Sequence, residues 1–246
     1  MTVLLSGVLL LTAAAYASVG LGGGSSYLAI LSFWSHDPDQ IRPLSWGLNV
    51  VAAGVGSIIY HRSGHMSWRL SIPILIGGVV GAAIGARMPI SAAAFRWLLA
   101  AALLAIAIRM FWGKKQRMTA APKLSDSWWT RLAIGVAVGI PSGMVGIGGG
   151  ILLGPLLVSL AVADTKIAAA TTSLYVMLSS AAALSAHVAG GGLVDGQRLA
   201  VYGLVCMLGA FVGSRYGALK AKPRHLELIF ACLILIAAVR LVLIRR

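Results

Sequence analysis

Apolar positions run almost unbroken for the length of a bilayer crossing at about residues 2–19, 43–60, 70–86, 93–112, 129–145, 168–189, 199–217 and 226–244. Each stretch is close to the roughly 20 residues that a transmembrane helix requires. Two shorter apolar stretches, 25–34 and 151–163, each follow a run of glycines. The first run is Gly20-Leu21-Gly22-Gly23-Gly24 and the second is Gly146-Ile147-Gly148-Gly149-Gly150, displaced by 126 positions. A glycine weakens a helix interior by roughly 1 kcal/mol, and irregular backbone at membrane depth survives only where protein or a watery cavity covers it. The pattern therefore predicts that each run breaks a membrane helix, and that the short stretch after it is a half-helix or a strongly tilted span.

The displacement extends beyond the glycines. It sets Ile41 on Ile167, Leu48 on Leu174, His61 on His187 and Gly64 on Gly190 without a gap. After a three-residue slip Arg69 meets Arg198, and after one compensating deletion Gly81, Gly85 and Arg87 meet Gly209, Gly213 and Arg215. Gly77, Gly81 and Gly85, like Gly209 and Gly213, form small-residue faces on which helix backbones approach closely. The predicted fold is an all-α polytopic integral membrane protein made of two repeats. Each repeat is a glycine-broken helix pair, re-entrant or half-spanning, followed by three full transmembrane helices. The first repeat covers residues 1–112, a basic linker 113–128 and the second repeat 129–246. An odd number of crossings per repeat makes the second enter upside down, the inverted topology of many secondary transporters.

Composition agrees with this pattern, since 59% apolar residues, 11% charged residues and a mean hydropathy of +0.92 lie outside the soluble range. The net charge of +14 would suggest nucleic acid in a soluble protein. Here Lys114, Lys115, Arg117, Lys123 and Arg131 gather between apolar stretches, so a positive-inside bias explains the excess and no nucleic-acid partner is expected. With residues 113–128 cytoplasmic, both termini fall outside. Ala15-Tyr16-Ala17 imitates a cleavage site, but no basic segment precedes it and its repeat counterpart is internal, so the first stretch is expected to remain a helix. Cys206 and Cys232 stand in apolar stretches without metal-ligand spacing, and neither a disulfide nor a metal is expected.

Candidate chemistry begins at the breaks. A helix starting after glycines presents free N–H groups with the positive end of its dipole behind them, which suits an anion. Gly22, Gly23, Gly24, Ser25 and Ser26 form one such start, and Gly148, Gly149 and Gly150 the other. Ser45 and Asn49 in the span after the first half-helix align with Thr171 and Tyr175 in the second, beside Thr172 and Ser173. Their hydroxyls and amide are candidates to complete an anion's shell, although Ser and Thr in helices also bond their own backbone. Trp46 reads alternatively as an interfacial anchor. Arg87 and Arg215 are candidate vestibule charges, with snorkelling to the headgroups as the alternative. His61 and His187 read as interfacial packing ahead of proton transfer.

The absences narrow the function. Asp37, Asp39, Asp126, Asp164, Asp195 and Glu227 all fall in loops or near span ends, so no carboxylate inside the membrane serves as cation ligand or proton relay. No Walker A run, HExxH or nucleophile elbow is present. No enzymatic activity, catalytic residue or cofactor is expected.

Over essentially its whole length the sequence resembles the TauE/SafE family of sulfite and organosulfonate exporters. The resemblance rests on the two glycine runs, on Ile151-Leu152-Leu153-Gly154-Pro155-Leu156-Leu157, on Ala169-Ala170-Thr171-Thr172-Ser173-Leu174 and on the terminal small-residue helices. Ala29 replaces a proline of the family pattern, and Trp46-Gly47 replaces the usual Thr-Ser. The resemblance implies a multi-pass carrier of the inner membrane that exports sulfur oxyanions such as sulfite or sulfoacetate. Its expected partners are a small anionic substrate and the lipid bilayer, and a homodimer is compatible with the sequence. A passive small-anion channel is the alternative.

Overall fold

The computed structural model describes residues 2–32, 38–88, 127–160 and 162–222, with 224–226, 228, 229 and 232 beyond them. The predicted span at 93–112, nearly all of that at 226–244 and most of the basic linker lie outside the described residues. Within them all regular structure is helical: α1 Thr2–Ala17, α2 Gly24–Ser32, α3 Pro38–Arg62, α4 Trp68–Arg87, α5 Trp128–Val145, α6 Gly150–Ser159, α7 Thr165–Ala189 and α8 Gly196–Arg215, which continues as a π-helical turn Tyr216–Lys220. Four stretches, Gln40–Arg62, Trp68–Arg87, Thr165–Ala189 and Gly196–Lys220, are long and apolar enough to cross a membrane.

Local chemistry sets several boundaries. Asp164 accepts from Lys166 N and Ile167 N at 2.9 Å and caps α7, and Asp195 accepts from Arg198 N at 2.9 Å and caps α8. Each such cap is worth about 1 kcal/mol, which gives these carboxylates a place at span ends. Gly146, at φ 86°, ends α5 in the left-handed region that glycine enters without penalty. Arg42 of α3 then donates to Met144 O at 3.1 Å, placing a cation at the negative end of α5.

The small-residue faces bring helices from distant parts of the chain together. Gly77, Gly81 and Gly85 of α4 lie against backbone atoms of Leu132, Val136 and Ile140 of α5, and Gly209 and Gly213 of α8 lie against the carbonyls of Leu10 and Ala14 of α1. Residue numbers rise together in both contacts, so α4 runs parallel to α5, and α8 parallel to α1. Gly47 meets Leu199 and Gly203 meets Val51, so α3 and α8 are parallel too. By contrast α3 and α7 are antiparallel. Trp46 touches His187, Ser173 donates to Ala53 O, and Tyr60 shares a core with Ala169 and Ala170.

The chain turns back sharply at the first glycine run. α1 ends level with the end of α3, where Tyr60 donates to Ser18 O at 2.6 Å. Gly22 already lies beside Asn49 and Ala53, so the few residues between have descended about 10 Å along α3, the rise from Ala53 to Tyr60 at 1.5 Å per residue. α2 continues from there toward the start of α3, where Leu31 and Leu44 share one core with Leu9 and Leu48.

Candidate functional site

The two glycine runs cross each other in the middle of the bundle. A side chain on Gly24 would strike Ile147 O, and one on Gly150 would come within 2.7 Å of Leu21 O. These are the same contact seen from either side, because position 24 corresponds to 150 and 21 to 147 under the displacement of 126. The starts of α2 and α6 are thereby brought together.

Side chains of α3 and α7 engage the carbonyls of the crossing. Ser45 donates to Gly24 O at 3.2 Å and Gly146 O at 3.1 Å, Asn49 to Ile147 O at 3.4 Å, and Ser179 to Gly148 O at 3.2 Å. The helical hydrogen bonds begin only at Ser26 N and Tyr27 N, both to Gly23 O, and at Leu152 N and Leu153 N, both to Gly149 O. Among the described residues, the N–H groups of Gly24, Gly150 and Ile151 have no protein acceptor, as the first turn of a helix requires.

Around these N–H groups stand buried polar atoms without partners: Asn49 Oδ1, Ser142 Oγ and Ser180 Oγ. A Cβ on Gly148 would lie 2.9 Å from Ser180 Oγ, and one on Gly149 would lie 3.0 Å from Ser142 Oγ. A Cβ on Gly22 would come 3.2 Å from Asn49 Oδ1, and one on Gly23 2.9 Å from Tyr27 Oη. Glycine is needed here twice over. Gly22, Gly23, Gly148 and Gly149 all have positive φ, between 72° and 110°, and a Cβ on any of them would come within 3.0 Å of a neighbouring side chain.

The sequence-derived candidates divide in the structure. Gly22, Gly23, Gly24, Gly148, Gly149, Gly150, Ser45 and Asn49 meet at the crossing. Ser25 and Ser26 sit beside it, half-buried, with Ser26 donating to Tyr16 Oη at 2.8 Å and Ser25 Oγ 3.3 Å from the same oxygen. Thr171 bonds Ser71 of α4 at 2.9 Å, Ser173 donates to Ala53 O at 3.0 Å, and Tyr175 donates to Gly135 O at 2.9 Å, so these hydroxyls join helices. Thr172 is fully buried with its hydroxyl unpartnered. Trp46, at 1% exposure, is a core residue and not an interfacial anchor.

Ser142, Ser179, Ser180, Tyr16 and Tyr27 were not among the candidates. One signal was available for Ser142: it corresponds to Tyr16 under the displacement of 126, and each precedes its glycine run.

Arg87 and Arg215 lie at opposite ends of the bundle, both exposed. Arg215 rests over the Phe211 ring at 5.5 Å. Arg87 lines an open cavity of about 800 Å³ together with Arg198 and Asp195 at the start of α8 and His187 near the end of α7. The other end is tied together: Lys166 Nζ donates to Ala218 O at 3.0 Å, His65 Nε2 lies 3.1 Å from the same oxygen, and Gly20 abuts the Ala169 carbonyl.

A profile of the family described as sulfite exporter TauE/SafE matches residues 5–241. The probable membrane transporter protein y4hK of Sinorhizobium fredii is 27% identical over 236 residues, covering 93% of each chain. No solved structure matches this chain.

Proposed function

This chain belongs to the sulfite exporter TauE/SafE family, and on that premise we propose that it is a secondary transporter exporting small sulfur oxyanions across the inner membrane. Sulfite and organosulfonates such as sulfoacetate are the substrates proposed. The observation that carries the reading is the reciprocal crossing of two glycine runs, with helix N-termini and unpartnered buried hydroxyls gathered around it. N–H and O–H donors backed by two helix dipoles suit an oxyanion, and no ionisable side chain is needed to hold it.

The same reading takes the chain as two inverted repeats, 1–112 and 129–246, joined by the linker 113–128. The support is the packing: α1 corresponds to α5, α2 to α6, α3 to α7 and α4 to α8. The pair α4 with α5 recurs as α8 with α1, down to Gly85 on Ile140 and Gly213 on Ala14. The corresponding helices α3 and α7 are antiparallel, which requires the relating axis to lie across the helices and hence in the membrane plane. On this view α1 and the segment of loop plus α2 cross the membrane twice, in opposite directions.

Charge supplies an orientation. Arg62, Arg69, Arg131, Lys166, Arg215, Lys220, Lys222 and Arg224 cluster at one end of the bundle, against Arg42, Arg87 and Arg198 at the other. Among the described residues, eight against three supports a cytoplasmic position for the first end on the positive-inside rule. The open cavity then faces outward and the tied end inward, the arrangement of a carrier that has opened to release its load. An inside-negative potential of about 100 mV favours export by roughly 2.3 kcal/mol per charge moved.

The test is efflux from proteoliposomes under a set potential, comparing sulfite, sulfoacetate, taurine, sulfate and chloride. Saturable export selective for sulfite or a sulfonate is expected. Single-channel conductance with no selectivity beyond charge would replace the carrier by a passive anion channel.

A further inference from the structure

The tied end of the bundle is held at one carbonyl. Ala221 N donates to Tyr216 O at 2.8 Å, five residues back, which is the bonding step of the π-helical turn. The same step would bring Ala218 O to residue 223, which is proline and has no N–H to give. Two side chains from elsewhere in the chain supply donors instead. Lys166 Nζ reaches this oxygen from the first turn of α7 at 3.0 Å, and His65 Nε2 from the loop between α3 and α4 at 3.1 Å. A carbonyl only accepts, so the second bond requires that ring nitrogen to carry the proton.

The turn held in this way closes its end of the bundle. Ala218 packs with Tyr60, Ala169 and Ala170 in one buried cluster. Gly217 lies against Ser18 O, the carbonyl to which Tyr60 donates at 2.6 Å, just ahead of the first glycine run. The open end is built from the corresponding positions. Under the displacement of 126, Lys166 corresponds to Gln40, Ala170 to Leu44 and Tyr60 to Ala186, and Gln40, Leu44 and Ala186 all line the open cavity. One set of positions is therefore sealed at one end and open at the other.

We infer that Lys166 and His65 form the latch of a gate. Their bonds to Ala218 O hold the π-helical turn over Tyr60 and Ala170, and releasing them opens a cavity at this end as the cavity at the other end closes. Both act as positioning residues, since they bond protein to protein. The place of the gate in a transport cycle rests on the carrier reading above, whereas its opening can be measured without substrate.

The test uses the full chain in nanodiscs, which admit reagent from both faces, in a background lacking Cys206 and Cys232. Ala170→Cys reports on the tied end and Leu44→Cys on the open end, each by its rate of reaction with a water-soluble maleimide. In the parent, Leu44→Cys should react, and Ala170→Cys, at a position with 0% exposure, should not. Lys166→Met combined with His65→Phe removes both donors. It should raise the Ala170→Cys rate about tenfold or more, the shift expected from losing a charge-assisted bond, and lower the Leu44→Cys rate. Lys166→Arg keeps both donors and should react as the parent. The fall at Leu44→Cys separates a gate from a packing contact, because local loosening would raise the first rate and leave the second alone. If the double variant does not fold, Lys166→Met alone carries the comparison, with smaller changes in the same two directions. No gain at Ala170→Cys, or a gain without the fall at Leu44→Cys, would overturn the latch. Failure of the transport reading is separable: efflux with no preference for sulfite or a sulfonate, alongside reciprocal labelling, would leave the gate in place and remove the substrate.

Discussion

Replacing Ser142 and Ser180 by alanine removes hydroxyls that are 3% and 1% exposed and bonded to nothing in the protein. An unpaired buried hydroxyl costs about 1–3 kcal/mol, so each variant should be as stable as the parent or more stable by up to that amount. Ser45→Ala and Ser179→Ala should do the opposite. They strip donors from the carbonyls of Gly24, Gly146 and Gly148 and should lower stability by about 1–3 kcal/mol. Transport should show the reverse order. A hydroxyl that donates to a bound anion contributes about 1.5–3 kcal/mol, so Ser142→Ala and Ser180→Ala should weaken apparent affinity roughly 10- to 150-fold. The measurements are thermal unfolding in detergent without substrate, and sulfite efflux from proteoliposomes across a concentration series. If the two variants lowered the melting temperature and left the apparent affinity alone, these serines would be ordinary packing residues and the anion would have to bind elsewhere.

Three further predictions address the architecture. Gly23→Val and Gly149→Val each place a branched side chain at positive φ, with Cβ 2.7 Å from Tyr27 Cζ and 2.8 Å from Tyr175 Cε1 respectively. Both should abolish efflux while leaving protein in the membrane by fluorescence size-exclusion, and normal efflux by both would remove the crossing as the site. Gly85→Leu and Gly213→Leu meet equivalent carbonyls of α5 and α1 and should each cost at least about 1–3 kcal/mol of stability, with grossly unequal losses counting against equivalent repeats. Cysteines placed at Arg87 and Arg215, in a background lacking Cys206 and Cys232, should label from opposite faces of sealed vesicles, and labelling of both from one face would refute the inverted arrangement.

The parts of the fold that the sequence revealed are those encoded by local rules. A glycine run inside an apolar stretch, or glycines at four-residue spacing, has the same consequence whatever surrounds it, so the helix starts at Gly24 and Gly150 and the contact faces of α4 and α8 could be anticipated. The side chains of the site follow a different logic. Thr171, Ser173 and Tyr175 have suitable hydroxyls, yet the structure shows each bonded to a neighbouring helix. Ser142 and Ser180 look no different in sequence, and only the packing shows that theirs are unmatched. Whether a hydroxyl in a membrane helix is available depends on which backbone lies beside it, and that is decided by contacts a hundred or more residues away. Trp46 illustrates the same limit: its burial against His187 depends on the antiparallel approach of α3 and α7.

The interleaving of the two halves also bears on how the protein is made. Ala14 of α1 receives Gly213 of α8 about 200 residues later, whereas Gly85 of α4 meets Ile140 of α5 after only about 55. At roughly 5–20 residues per second of synthesis, α4 waits some 3–11 s for its partner and α1 some 10–40 s. During that interval the side of α1 carrying Leu10 and Ala14 must rest against lipid or a surrogate helix. A ribosome that stops before Gly196 then leaves α1, the earliest described helix, without the α8 surface that Leu10 and Ala14 meet.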